Sequence, residues 1–224
     1  MLLKRYSHKK SRMIELQESS YVIMEAAGQA DYRASIARAV RGLWSGLHFM
    51  PEFIAEFEFI ENMQIAIGNG LTRAFNAGAA EVGIMPNDFT QAEINARDEA
   101  ILIEFQRITS LANFVIQNSK SNGGTLGSLQ YRVNMWANQY NALRNKAKIM
   151  AGADKKLEWF LGATEEHCRD CSKYAGRVYR ASTWDRYEIQ PQSRRLACKG
   201  FNCDCKVEPS DKPCNKGRPP GMSG

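Results

Sequence analysis

The sequence predicts a mainly α protein. A helical body with a long antiparallel hairpin is followed by a small, cysteine-rich α+β module. Three observations predict this. Apolar residues recur at steps of three and four through most of residues 31–151, the period of helices with one buried stripe. The rhythm stops at Gly152, and short β-like runs take its place. All six cysteines lie between Cys168 and Cys214, so only the last quarter has thiol chemistry available.

The chain has 224 residues, 44% of them hydrophobic, enough for one large domain or two small ones. Four segments are expected: a basic N-terminal arm at 1–30, a helical body at 31–153, a metal-binding module at 154–208 and a disordered tail at 209–224. The net charge of +6 is divided along the chain. Lys4, Arg5, Lys9, Lys10 and Arg12 make the first 13 residues basic, with no acid among them. Residues 168–224 are basic too, whereas the stretch between is acidic. Basic ends suit a phosphate backbone or an acidic protein partner. No apolar run is long enough for a membrane span, and the charged start does not read as a secretory leader.

The arm has little periodicity beyond a short helix near Met13–Ala27. After Asp31, Ile36, Val40, Leu43 and Trp44 fall on one stripe. Gly46 and Pro51 end that helix and start the next. Residues 52–67 carry Phe53, Ile54, Phe57, Phe59, Ile60, Met63, Ile65 and Ile67, which point in more than one direction. Such a helix is either central to a core or exposed for a partner. Phe53, Phe57 and Phe59 are its candidate interface residues. Gly68 and Gly70 are expected to interrupt it, with a further helix from Leu71 to about Val82.

Thr90-Gln-Ala-Glu93 reads as a capping box. The helix after it carries Ile101, Phe105, Ile108, Ala112 and Val115, and Ser121-Asn-Gly-Gly124 ends it. Leu126, Leu129, Val133, Trp136, Tyr140, Leu143, Ala147 and Met150 then form one apolar seam. With the Gly-Gly connection, these two helices are expected to fold back as a hairpin about 40 Å long.

Leu157–Leu161, Arg177–Arg180 and Cys205–Val207 have strand character. Between them lie Cys168-Arg-Asp-Cys171 and Cys198-Lys-Gly-Phe-Asn-Cys203-Asp-Cys205. A Cys-x2-Cys pair answered by a second cluster is the spacing of a tetrahedral zinc site, with thiolates about 2.3 Å from the metal. Four of Cys168, Cys171, Cys198, Cys203 and Cys205 are expected to hold zinc in a zinc-ribbon-like platform. Because Cys203 and Cys205 would face opposite sides of a regular strand, the favoured four are Cys168, Cys171, Cys198 and Cys203, with Cys205 as the main substitute. His167 adjoins the first ligand, and Cys214 is expected to be free. Clustered thiols favour metal binding in a reducing compartment over disulfides. Abundant thiolates and few histidines favour a structural metal over a catalytic one. There is no phosphate-binding loop, no Gly-x-Ser-x-Gly and no His-Glu-x-x-His, so a non-enzymatic protein without a small-molecule substrate is expected. Arg177, Arg180, Arg186, Arg194 and Arg195 alternate with Tyr179, Trp184 and Tyr187, a pattern that suits single-stranded nucleic acid.

The order of these features resembles a known family. A helical body precedes Leu157-Glu-Trp-Phe-Leu-Gly-Ala-Thr-Glu-Glu-His-Cys-Arg-Asp-Cys-Ser-Lys-Tyr-Ala-Gly-Arg-Val-Tyr, and Pro191 and the Cys198–Cys205 cluster follow. Residues 157–207 are similar to the C-terminal module of tailed-phage minor head proteins, the phage Mu F-like head morphogenesis family. Cys168, Cys171, Cys203 and Cys205 match that family's cysteines. Cys198 stands near the family histidine, at a longer spacing and without its His-Pro pair. The resemblance implies a virion protein in the head interior or at the portal vertex, and in the host cytoplasm during assembly. It implies contact with the portal and major capsid proteins, and with packaged DNA. Its expected role is head assembly or DNA packaging and delivery. The alternative is a zinc-containing nucleic-acid-binding protein.

Overall fold

A computed structural model describes residues 28–164, 166–200 and 203–222. The expected arm, with its helix near Met13–Ala27, lies outside the described residues except at its end, where 28–30 already belong to the first helix. The architecture is mainly helical, with one small antiparallel sheet beside the cysteines. Helix α1 spans 28–46, α2 Glu52–Glu81, α3 Gln91–Phe105, α4 Ile108–Gln117 and α5 Leu126–Ala151. Strand β1 (Lys156–Phe160), helix α6 (Arg169–Tyr174), strand β2 (Val178–Arg180), helix α7 (Ala181–Arg186) and strand β3 (Lys206–Pro209) complete it.

Helix α1 buries Ile36, Val40 and Leu43 on its apolar stripe, and Trp44 caps the end of α4 by donating its indole N–H to the Asn118 carbonyl at 3.0 Å. Helix α2 runs unbroken through Gly68 and Gly70, where the sequence suggested an interruption. Tertiary packing explains the difference at Gly70. A Cβ on Gly70 would sit 2.1 Å from the Tyr32 ring, so glycine there lets α1 approach α2. At Gly78 a Cβ would lie 2.2 Å from the Arg144 carbonyl oxygen, which is backbone and cannot swing aside. Gly78→Ala is therefore expected to force α2 and α5 apart and lose about 1–3 kcal/mol, read by urea unfolding. A neutral result would mean the two backbones separate freely.

The capping box forms as expected: the Glu93 N–H donates to Thr90 Oγ1, and the Thr90 N–H donates to Glu93 Oε2 at 2.6 Å. The helix after it is divided, α3 from α4, at Gln106–Arg107. The hairpin therefore differs from the expected one. Arg132 of α5 lies 4.3 Å over the Phe114 ring of α4, so these two run antiparallel across the Gly123–Gly124 loop. The most extensive packing of α5, however, is on α2. Glu81, at the end of α2, meets Arg144 and Lys148 near the end of α5, so those two helices run in the same direction. The seam of α5 is buried at Leu129, Val133, Trp136, Tyr140, Leu143 and Ala147. Beyond it Lys148 and Ile149 are buried too, because the last turns of α5 are enclosed by the module.

In the sheet β1 is central, with β2 on one side and β3 on the other. Leu157 faces Tyr179 and Trp159 faces Val207 in register. Trp159, Tyr174, Tyr179 and Trp184 pack together with centroids 5.0–5.8 Å apart along their contacting pairs. One continuous core includes residues from both body and module. A boundary near residue 153 therefore marks a change of architecture, not a gap in packing. Disorder expected from 209 does not describe 209–222. Asn215 exchanges two hydrogen bonds with Val178, through its own N–H and its side-chain oxygen, and Tyr174 Oη donates to the Pro220 carbonyl at 2.9 Å. The prolines that suggested disorder deny the tail regular structure but leave it free to follow the surface of the module.

Candidate metal centre

Local structure places each thiol. Cys168 is the N-cap of α6, its sulfur accepting from the Cys171 N–H at 3.4 Å, so Cys-x2-Cys becomes one tight helical turn. Asp170, wholly buried in the same turn, accepts from the Ala197 N–H at 2.8 Å and so brings the segment carrying Cys198 against α6. Gln192 donates to the Cys203 carbonyl at 2.7 Å, and Asn145 of α5 donates to the Cys205 carbonyl at 3.4 Å. Asn145 Oδ1 also accepts from the Val207 N–H at 3.1 Å. The last thiols are thus hung from the helical body.

The sulfurs converge in two groups. Cys168, Cys171 and Cys198 form one, and Cys171, Cys203 and Cys205 the other, with donor atoms within 4.8 Å of one another in each. Cys171 and Cys203 are 3.8 Å apart, the edge of a tetrahedron whose bonds are about 2.3 Å. The cysteine clusters can therefore hold a metal ion. Cys214 is exposed and free of the cluster. His167 Nδ1 lies 4.0 Å from Cys205 Sγ and 3.3 Å from Thr164 Oγ1.

Crowding splits the proton affinities. Cys205 is pushed down to about 3 by hydrogen bonds from Cys171 and Cys203, with the Gly162 N–H and the Trp159 indole adding to them. Cys171 is pushed up by its bonds to Cys203 and Cys205. Burial pushes Cys198 up to about 12. Against its burial, Cys168 is also lowered, by hydrogen bonds from Cys171 and Cys198. Each triad thus has one sulfur that holds negative charge more readily than its neighbours, the condition a cation relieves. The buried Trp159 Nε1 has no partner at hydrogen-bond distance among the described residues, and its nearness to Cys205 fits an outer donor to that thiolate.

The arginines do not form one surface. Arg177 donates to the Lys173 carbonyl, Arg180 pairs with Asp154 and Arg195 with Glu188. Arg186 is exposed at the end of α7. Arg194 joins Arg107, Arg132 and Lys199 around a groove of about 740 Å³ between α4 and α5. Tyr179 and Trp184, read as bases' stacking partners, are buried in the aromatic core, because a small sheet needs large side chains to fill its inner face.

The apolar segment of α2 is divided by its faces. Phe59 is 2% exposed and belongs to the core, so it is not an interface residue. Phe53 and Phe57 are 73% and 69% exposed and share one face. Phe49, in the turn before α2, is 85% exposed. Sequence reasoning missed Phe49, as well as Asp170, Gln192 and Asn145, which position the thiols. Single polar residues such as these three occur throughout the chain, and no local spacing marks the ones that anchor a distant segment. Among the described residues no helix is long and apolar enough to cross a membrane. Comparison with protein-family models, curated proteins and solved structures found no match.

Proposed function

We propose that the chain is a non-enzymatic minor head protein of a tailed phage. Its helical body docks on portal or inner capsid, and zinc holds its C-terminal module closed. The observation that carries this reading is how the segment resembling the Mu F-like family is arranged. Strand β1, the Cys168–Cys171 turn and the strand after Cys205 meet around one set of thiols whose neighbours are backbone-anchoring side chains. That is the arrangement of a structural staple, and zinc is the metal that thiolate-rich sites of this spacing take. The exposed aromatics Phe49, Phe53 and Phe57 support a docking role, since patches of this kind mark interaction sites.

The experiment is to express a tagged chain in the phage-producing host during head assembly. It should copurify with portal and capsid protein and remain in DNA-filled heads. Phe53→Ser with Phe57→Ser should leave the melting temperature nearly unchanged and reduce incorporation at least about tenfold, the effect of losing two interface aromatics. A chain that never enters heads would overturn the reading, and wild-type incorporation of the double variant would move the interface off α2.

The groove between α4 and α5 supports the second reading, a zinc-containing nucleic-acid-binding protein. Arg107, Arg132, Arg194 and Lys199 line it with Asn113 and Gln139, and only Glu104 among its walls is acidic. On that reading single-stranded DNA binds the free chain with affinity that falls steeply with salt, and Arg132→Ala reduces the slope by about one.

A further inference from the structure

We propose that the cysteine cluster holds two zinc ions per chain, joined through the thiolate of Cys171. The inference rests on the zinc reading above and deepens it. A single ion with four thiolates requires all its sulfur pairs to lie about 3.8 Å apart. Among the described residues no four thiols meet even a looser condition. They fall into the triads Cys168, Cys171, Cys198 and Cys171, Cys203, Cys205, and Cys171 alone belongs to both. A single ion centred on either triad leaves two neighbouring thiols without a role.

Chain anchoring follows the same division. The first triad is assembled by α6 and by Asp170, which holds the segment before Cys198. The second is assembled by Gln192 and Asn145, which hold the carbonyls of Cys203 and Cys205. Each set of anchors fixes its own pair of thiols against Cys171. His167 Nδ1 lies 4.0 Å from Cys205 but outside the mutual reach of the triad, so a turn of its ring is needed for it to supply the fourth donor to the second ion. The first triad is partly exposed at Cys168 and Cys198 and takes water as its fourth ligand. Charge favours the pair of ions as well. Five thiolates around two dications keep a single net negative charge, whereas four around one dication, with the fifth thiol neutral, keep two.

The test is the metal content of the full chain, made in zinc-supplemented cells without a metal-binding tag. Native mass spectrometry should find two zinc ions per chain. Cadmium-113 substitution should give two resonances, both coupled to the β-protons of Cys171. Cys198→Ser and Cys205→Ser should each keep one ion, and Cys171→Ser should lose both. The wild-type count needs no variant to fold. A single ion per chain, or one cadmium resonance, overturns the two-centre inference and leaves the zinc reading standing. Absence of stoichiometric metal overturns both.

Discussion

Lys148→Ala is expected to destabilise the protein by about 3–5 kcal/mol, the cost of removing one partner from a buried ionic network. Lys148 is fully buried on α5. Its ammonium meets Glu81 Oε2 at 2.6 Å and Glu208 Oε2 at 2.9 Å, and it donates to the Val207 carbonyl at 2.9 Å. It therefore ties α2, α5 and β3 together, and alanine would leave Glu81 to Arg144, Glu208 to Lys206, and the Val207 carbonyl without this donor. The loss should depend on pH. Burial pushes Glu81 up to about 7 from an ordinary 4.5, against the attraction of Lys148. The folded state thus holds a proton that the unfolded chain has released, so this group's contribution falls as pH rises from about 4.5 to 7. Without Lys148 the carboxyl rises further and the window extends upward. Urea unfolding should show a larger deficit near pH 8 than near pH 5. Adding Glu81→Gln should recover part of the loss. A penalty below about 1 kcal/mol would mean that water reaches the network.

Phe59→Asp should cost at least about 3–5 kcal/mol, because it deletes a core ring and places a carboxylate where the ring was. The contrast is Phe57→Asp, two residues away on the same helix. Its side chain is mostly exposed, so stability should stay within about 0.5 kcal/mol of the parent. Thermal unfolding of the two variants side by side reads both. Equal melting temperatures would contradict the division of α2 into a core face and a free face. The pair also separates folding from docking, since only Phe57→Asp can impair partner binding without impairing the fold.

Periodicity made much of the body legible. The α1 stripe, the capping box and the α5 seam from Leu129 to Ala147 stand where spacing put them, because a helix with one buried face leaves its period in the sequence. The glycines misled where their purpose was contact. Gly68 and Gly70 weaken a helix in isolation, but the Tyr32 ring against Gly70 outweighs a local preference of about 1 kcal/mol. The same limit hid the partner of α5, since an apolar seam specifies that something packs there and not what.

By itself the sequence determined a mainly helical body, three short strands and the gathering of cysteines near the C-terminus. Those follow from local rules: residue period, turn chemistry and the short reach of Cys-x2-Cys. The tertiary structure alone decided that α2 lies beside α5, that Lys148 and Asn145 bind the module to the body, and that five thiols divide into two triads around Cys171. Each of these depends on residues tens of positions apart in the chain. Such contacts are set by how whole faces fit together, and no local pattern encodes that fit.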